Sequence, residues 1–464
     1  MNGVRADMTK RLLTAFLAIA LLATACSTER SNESIATGDD SVEDVEPGTG
    51  VDPSDPEAST APAVPEEEEG GFVATGPETT FIPDLEGPFS TDGGAASNTD
   101  DSILIIEENP PLTDTLAGLV FPTDWTRRTI EDFNEIGAGL GGPDPRDGIP
   151  PLDSPVFESP ALAAQWLAPQ EPGALVQLNG EARFYPLAIL TRHEIVNDAF
   201  GDIPVAVTFC PLCNTAIAFD RRVDGEVLRL GVSGLLRNSD LVMWDDATTS
   251  LWQQVTGESI VGEFAGTQLE SVPTSIVSFQ QFVESFPEGL SLAQESGFGP
   301  GQYGLNPYAG YSSSATPFLF SGETDDRLRA LERVVGISED DLVVSYSFSD
   351  LQANQVVNDE IDGRAITVFW AAGTADALDA NVIASSADLG SGVAHDPVVD
   401  GQTLTFTANG DGTFTDEQTG STWTVLGIAT DGELEGSQLG PLKHQNEFWF
   451  AWQAFFGPDS LQEL

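Results

Sequence analysis

The chain is poor in positive charge. Beyond its first dozen residues it has a single lysine, Lys443. Lys and Arg total 18 against 74 Asp and Glu, a formal net charge of −56. No basic stripe exists to neutralise phosphates, so a nucleic-acid partner is not expected. The acidic balance fits a soluble, salt-tolerant surface that resists association. Cysteine is nearly absent as well: there are three, and only Cys210 and Cys213 lie beyond the first 26 residues. One close pair cannot build a disulfide framework, so the fold must rest on an apolar core. No phosphate loop, dinucleotide fingerprint or His-Glu-x-x-His is present, and no later apolar run is long enough to span a membrane.

What the N-terminus does have is an export pattern. Arg5, Lys10 and Arg11 precede an apolar run from Leu12 to Leu22, which ends in Ala23-Thr24-Ala25-Cys26. A basic start, a short apolar stretch and small residues before a cysteine make a lipoprotein signal, with Cys26 as the lipidated residue. The alternative is an ordinary signal peptide cut near Ala25. The first reading makes 1–26 a signal peptide and places the protein on the extracytoplasmic face of the cell membrane, anchored through its N-terminal lipid. The protein partner, if any, is not indicated. Residues 27–102 are rich in Asp, Glu, Pro, Gly, Ser and Thr, with Glu66-Glu67-Glu68-Glu69 the densest charge run. They cannot bury enough apolar surface to offset their ordering entropy, and read as a disordered acidic tether.

Residues 103–146 form an N-terminal extension. From Asp147 onward, short β-branched and aromatic runs alternate with Gly, Asp and Pro turns, which predicts a mostly β (α+β) protein of antiparallel strands. Phe279–Phe286 and Phe448–Phe456 instead space their aromatics at helical intervals. The chain also repeats itself. Ser250-Leu251-Trp252 recurs as Ser421-Thr422-Trp423, Gly262–Leu269 as Gly432–Leu439, Val196-Asn197-Asp198 as Val357-Asn358-Asp359, and Asp224-Gly225 as Asp400-Gly401. The order is the same in both halves. This predicts a tandem duplication of one antiparallel β domain, 147–290 and 330–464, each copy ending in a short aromatic helix. The segment 291–329 between them reads as a linker or lid. Trp252 and Trp423 hold equivalent places and should be core. Asp245-Asp246 and Arg221-Arg222 read as solvated loop charges.

One constellation offers chemistry. A strand, Val205–Phe209, runs into Cys210-Pro211-Leu212-Cys213, and Ala216–Arg221 again alternates like a strand. A redox helix of the thioredoxin kind would need a helical face there, so the motif reads as a metal knuckle in a tight hairpin. His193–Asp198 also alternates. If it pairs antiparallel with Ile203–Phe209, His193 falls beside Cys210. Two thiolates and an imidazole suit copper or zinc, with an outer partner for the ring such as Asn214 or a backbone carbonyl. The site should open into a cleft shared with the second repeat or with Gly297–Phe320. The same residues would equally suit an extracytoplasmic thiol-disulfide oxidoreductase with Cys210 and Cys213 redox-active, or be incidental to a non-catalytic surface binding or assembly module. Whether the chain is an enzyme stays open. His395 and His444 read as structural. Arg237-Asn238-Ser239-Asp240 follows Gly231-Val232-Ser233-Gly234, and this Gly-Ser-rich turn could face the knuckle. The second repeat, with Phe369-Trp370-Ala371-Ala372-Gly373 opposite the Cys motif, is bare.

Asp147–Pro150, His193–Asp198, Thr208–Cys213, Gly231–Gly234, Ser250-Leu251-Trp252, Asn306-Pro307-Tyr308 and the final Phe448–Pro458 stretch together resemble the bacterial DUF3179 family of uncharacterised proteins. The resemblance runs from about Asp147 to the C-terminus. Family members often carry Tyr before the first Cys and Tyr-Asp-Arg near position 244, where this chain has Phe209 and Trp244-Asp245-Asp246. The resemblance implies no reaction. It does imply that His193, Cys210 and Cys213 stand within recurring motifs.

Overall fold

A computed structural model describes residues 146–464 except 300, 302, 304, 321, 340 and 341, together with the short strands Ile103–Ile105 and Asp124–Thr126, which pair antiparallel. The signal segment, Cys26 and the tether lie outside the described residues. Strands dominate, and the few helices are short.

In the first half, Thr274–Ser278, Pro172–Leu178 and Glu181–Pro186 form one sheet with Leu290–Leu292 and Phe157–Glu158. A second sheet orders Ser271–Val272, Thr215–Asp220, Ile203–Cys210 and Ile195–Phe200. A third is a meander of Leu230–Arg237, Asp240–Asp245, Leu251–Gln253 and Ser259–Val261. The second half repeats this succession. Leu342–Ser347, Arg333–Glu339 and His444–Phe448 make one sheet. Val356–Ile361, Arg364–Ala371, Ser391–Asp396 and Gly440–Pro441 make the next, and Phe406–Ala408 to Ala429–Asp431 form the meander.

The correspondence reaches individual hydrogen bonds. Tyr185 donates its hydroxyl to Asp198, as Tyr346 does to Asp359. Asn197 clasps Leu230 through its amide and its carbonyl, and Asn358 clasps Phe406 in the same way. Asp245 accepts from Thr248 and from Trp252 Nε1, and Asp416 accepts from Thr419 and from Trp423 Nε1. Both tryptophans are fully buried, as expected from the sequence. Asp245 is buried beside its tryptophan, so the reading of it as a solvated loop charge is corrected. A buried indole N–H needs an acceptor, and Asp245 supplies it.

The helices Phe279–Ser285 and Trp449–Phe456 lie where the aromatic spacing put them. Ser278 and Gln281 close a reciprocal capping box on the first. Two further short helices, Leu187–His193 and Phe348–Asn354, escaped the sequence reading. They correct the strand expected over His193–Asp198. The helix runs through His193, Glu194 takes a left-handed turn at φ 58°, and the strand begins at Ile195. The halves share their cores. One apolar cluster joins Cys210, Cys213 and Val207 to Leu378, Phe448 and Phe450, and another joins Phe184 and Phe282 to Phe369 and Trp423.

Candidate metal centre

Two hairpins build the site. Ile203–Cys210 pairs with Thr215–Asp220 so that Cys210 lies opposite Thr215, leaving Pro211–Asn214 as the turn. Asn214 closes it with φ 57°, a conformation Asn tolerates better than most residues. The knuckle hairpin is therefore as the sequence indicated. The second hairpin joins Leu230–Arg237 to Asp240–Asp245, with Arg237 opposite Asp240. Asn238 and Ser239 both have positive φ, 51° and 67°, the geometry of a type I′ two-residue turn. Its tip meets the knuckle. The Cys210 thiol donates to the Ser239 carbonyl at 3.8 Å. One ligand atom each from Cys210, Cys213 and Asp240 all lie within 4.8 Å of one another.

This trio is sealed. Cys210 is 2% exposed, and Cys213 and Asp240 are fully buried. Both cysteines are free thiols. Burial is the main force raising the Cys210 thiol above the usual range. The Cys213 contact opposes it, and the charges of Asp240 and Glu194 add to it. Cys213 is pushed higher still by burial, by Cys210, by Asp240 and by Glu447. Burial lifts Asp240 to about 6, although Val255 N–H and the Gln253 amide both donate to its Oδ2. Its Oδ1 has no partner. Glu194, also buried, is lifted to about 8 by burial, against the pull of its Tyr308 hydrogen bond. The site thus buries two thiols and two carboxyls close together, an arrangement that a cation would relieve.

The segment between the halves covers it. Tyr308 donates to Glu194, Tyr311 donates to the Leu212 carbonyl, and Ser239 donates to the Phe318 carbonyl. From the second half, Phe448 N–H donates to the Cys213 carbonyl at 2.9 Å. The expectation of an open cleft is corrected: the knuckle faces these two elements but is closed beneath them.

His193 does not join the trio. Its Nδ1 bonds the Pro150 carbonyl at 2.6 Å and its Nε2 the Tyr303 hydroxyl at 2.9 Å. Placed at the end of a helix rather than in a strand, the ring packs against Phe298 and Tyr303. Asn214, suggested as an outer partner for that ring, instead accepts from Arg333 and donates to the Asn446 carbonyl. His395 and His444 are buried, each with one ring nitrogen on a backbone carbonyl, and neither lies in the trio. Asp240 is the ligand candidate that sequence reasoning left unassigned. Its one signal was the polar turn at Asn238-Ser239.

Fold and site together define a β-rich protein with a buried dithiol–carboxylate cluster. The chain matches the family described as "Protein of unknown function (DUF3179)" over residues 146–460, and it belongs to that family. No curated protein and no solved structure matches it.

Proposed function

We propose that the folded region is a metal-binding module, with Cys210, Cys213 and Asp240 as ligands for zinc or copper. Asp240 takes the place that the sequence had offered to His193. The carrying observation is the trio itself: three buried ligand atoms within 4.8 Å, from two thiols and a carboxylate whose Oδ1 has no hydrogen-bond partner. Two thiolates and a carboxylate are borderline-to-soft donors, which suits these ions over calcium or magnesium. The test is metal analysis of protein purified anaerobically. Zinc or copper should be retained near one per chain, and the C210S/C213S variant should lose it while keeping its folded spectrum. Wild-type protein that retains neither ion, and whose thiols react equally fast with and without them, refutes the reading.

The alternative of a thiol-disulfide oxidoreductase needs an exposed cysteine with a depressed pKa. Burial and neighbouring acids push both thiols the other way, which favours the metal reading. A surface binding module would keep its phenotype in the C210S/C213S variant. We further propose that the module is carried on an exported chain lipidated at Cys26, so that Cys26→Ser should move it from the membrane fraction to the soluble one. The matched hydrogen bonds of the two halves support their origin in a tandem duplication.

A further inference from the structure

We infer that Glu447, supplied by the second half, is a fourth ligand of this same ion, and that the ion is therefore divalent zinc rather than copper(I). The inference rests on the metal reading above. Its starting point is a group with no evident purpose. Glu447 is fully buried, and neither of its carboxyl oxygens has a hydrogen-bond partner. A buried carboxyl without partners is costly, whether charged or neutral.

Its position is fixed against the knuckle from both sides. Asn446 offers its carbonyl to the Asn214 amide at 3.1 Å, and Phe448 donates its N–H to the Cys213 carbonyl. The residue between them is held in register by pairing with Val334. Its carboxyl lies beside Thr215 and in the field of Asp240, and it acts in turn on Cys213. Asp240 Oδ1 and Gln254 Oε1 are unpartnered as well. Donors beside them are turned elsewhere: the Thr215 hydroxyl, next to Glu447, donates to the Cys213 carbonyl at 3.4 Å, and the Cys210 thiol donates to that of Ser239. Arg333, whose guanidinium reaches the knuckle at Asn214, is already paired with Asp376 at 2.6 Å.

The trio alone leaves a tetrahedral ion one ligand short. Glu447 lies outside the trio's mutual 4.8 Å, and its flexible stem would swing the carboxylate in from beside Thr215 to complete the set. Two thiolates with two carboxylates suit zinc, whereas copper(I) is satisfied by the soft thiolates and gains little from carboxylate oxygens. On binding, the thiols and carboxyls that carry protons release them to solvent, with no change of oxidation state.

The experiment titrates the full chain and its E447Q variant with Zn(II) and with Cu(I) against competing chelators, and uses Co(II) as a spectroscopic stand-in for zinc. E447Q should weaken zinc by about tenfold or more, on the scale of losses when a metal site is disturbed. It should shift the Co(II) d–d bands and leave Cu(I) affinity unchanged. Equal zinc affinity and identical Co(II) spectra would overturn the inference while leaving the metal reading intact. Wild-type protein that takes up no metal would overturn both. A second measurement needs no variant. The zinc-minus-apo infrared difference spectrum of wild-type protein with isotopically labelled glutamate should show a carboxyl becoming metal-bound, and a spectrum without a glutamate band would also overturn the inference.

Discussion

The two histidines of the second half should make the protein acid-sensitive in a definite window. His395 and His444 are buried, and burial holds each at about 4, well below the ordinary 6.5. Each donates one ring N–H to a carbonyl, Val425 or Leu442, and the other ring nitrogen is unpartnered. The rings are therefore neutral in the folded chain. For a base with a depressed folded pKa, the unfolded chain binds the proton first. The stabilisation is fully present above pH 6.5 and is lost as pH falls toward 4. At roughly 1.4 kcal/mol per unit, each ring contributes about 3 kcal/mol at most, and most of that has gone by pH 4.5. Glu171 and Glu194 oppose the trend. Burial raises them to about 7 and about 8, so their contribution is present below 4.5 and lost as pH rises through those values. A comparison of variants removes the opposition. His395→Gln keeps a donor where Nε2 stood, and His444→Asn keeps one where Nδ1 stood. Urea unfolding of wild type and the double variant at pH 7.5, 5.5 and 4.5 should show the wild type losing several kcal/mol more. Parallel stability curves for the two proteins would refute the argument.

The matched aspartates give a second test. Asp416→Asn replaces an anion that accepts from Thr419, Ser421 N–H and Trp423 Nε1 with an amide that leaves donors unmatched. Urea unfolding should register a loss of about 2–4 kcal/mol, and Asp245→Asn should cost a similar amount; a negligible effect of either would break the equivalence. Gly262 has φ +107°, and an added Cβ there would stand 2.5 Å from Ser250 Oγ and 2.6 Å from Ser250 Cα. Gly262→Ala should therefore destabilise by about 1–3 kcal/mol, read as a lower melting temperature. Tyr308→Phe removes the hydroxyl that ties the covering segment to Glu194. Stopped-flow zinc uptake should become faster at unchanged equilibrium affinity, and an unchanged rate would show that this contact does not limit entry.

Local features of the site were legible in the sequence, and long-range ones were not. The knuckle could be read because a hairpin brings Cys210 and Cys213 together within four residues, and strand alternation flanked it. His193 was misplaced because Leu187–His193 is a seven-residue helix, too short for its periodicity to outweigh the alternating pattern that follows. The left-handed Glu194 then resets the direction of the chain. The pairing of the repeats also slipped by one. Phe209 N–H bonds the Glu194 carbonyl as Trp370 N–H bonds that of Gln355, so Phe209 matches Trp370 and Cys210 matches Ala371. In strands a slip of one exchanges the faces of the sheet, and only the hydrogen bonds settle it. Asp240 reaches the cysteines through tertiary packing, which no local pattern encodes.

The two halves differ where the site lies, and the differences are of length as much as of residue type. In the first meander the hairpin continues past a bulge through Leu235↔Val242 and Leu236↔Leu241 to Arg237↔Asp240. In the second it stops at Ala408↔Phe414, the counterpart of Val232↔Met243. Asp240 thus sits on an extension that the second half does not have. At the knuckle the relation is reversed. Four residues join Cys210 to Thr215, whereas Ala371 is joined to Ser391 by a long excursion. That excursion runs back over the first half. Its Leu378 packs in the core that holds both cysteines, its Ala377 and Ala380 carbonyls take the Asn306 amide, and its Asp376 engages Arg333. The first half has the longer hairpin, which brings Asp240 to the knuckle, and the second has the longer turn, which helps cover it. Neither half alone has both the cysteine–aspartate cluster and its cover: the first supplies Cys210, Cys213 and Asp240, and the second supplies Leu378 and Phe448 packed over them.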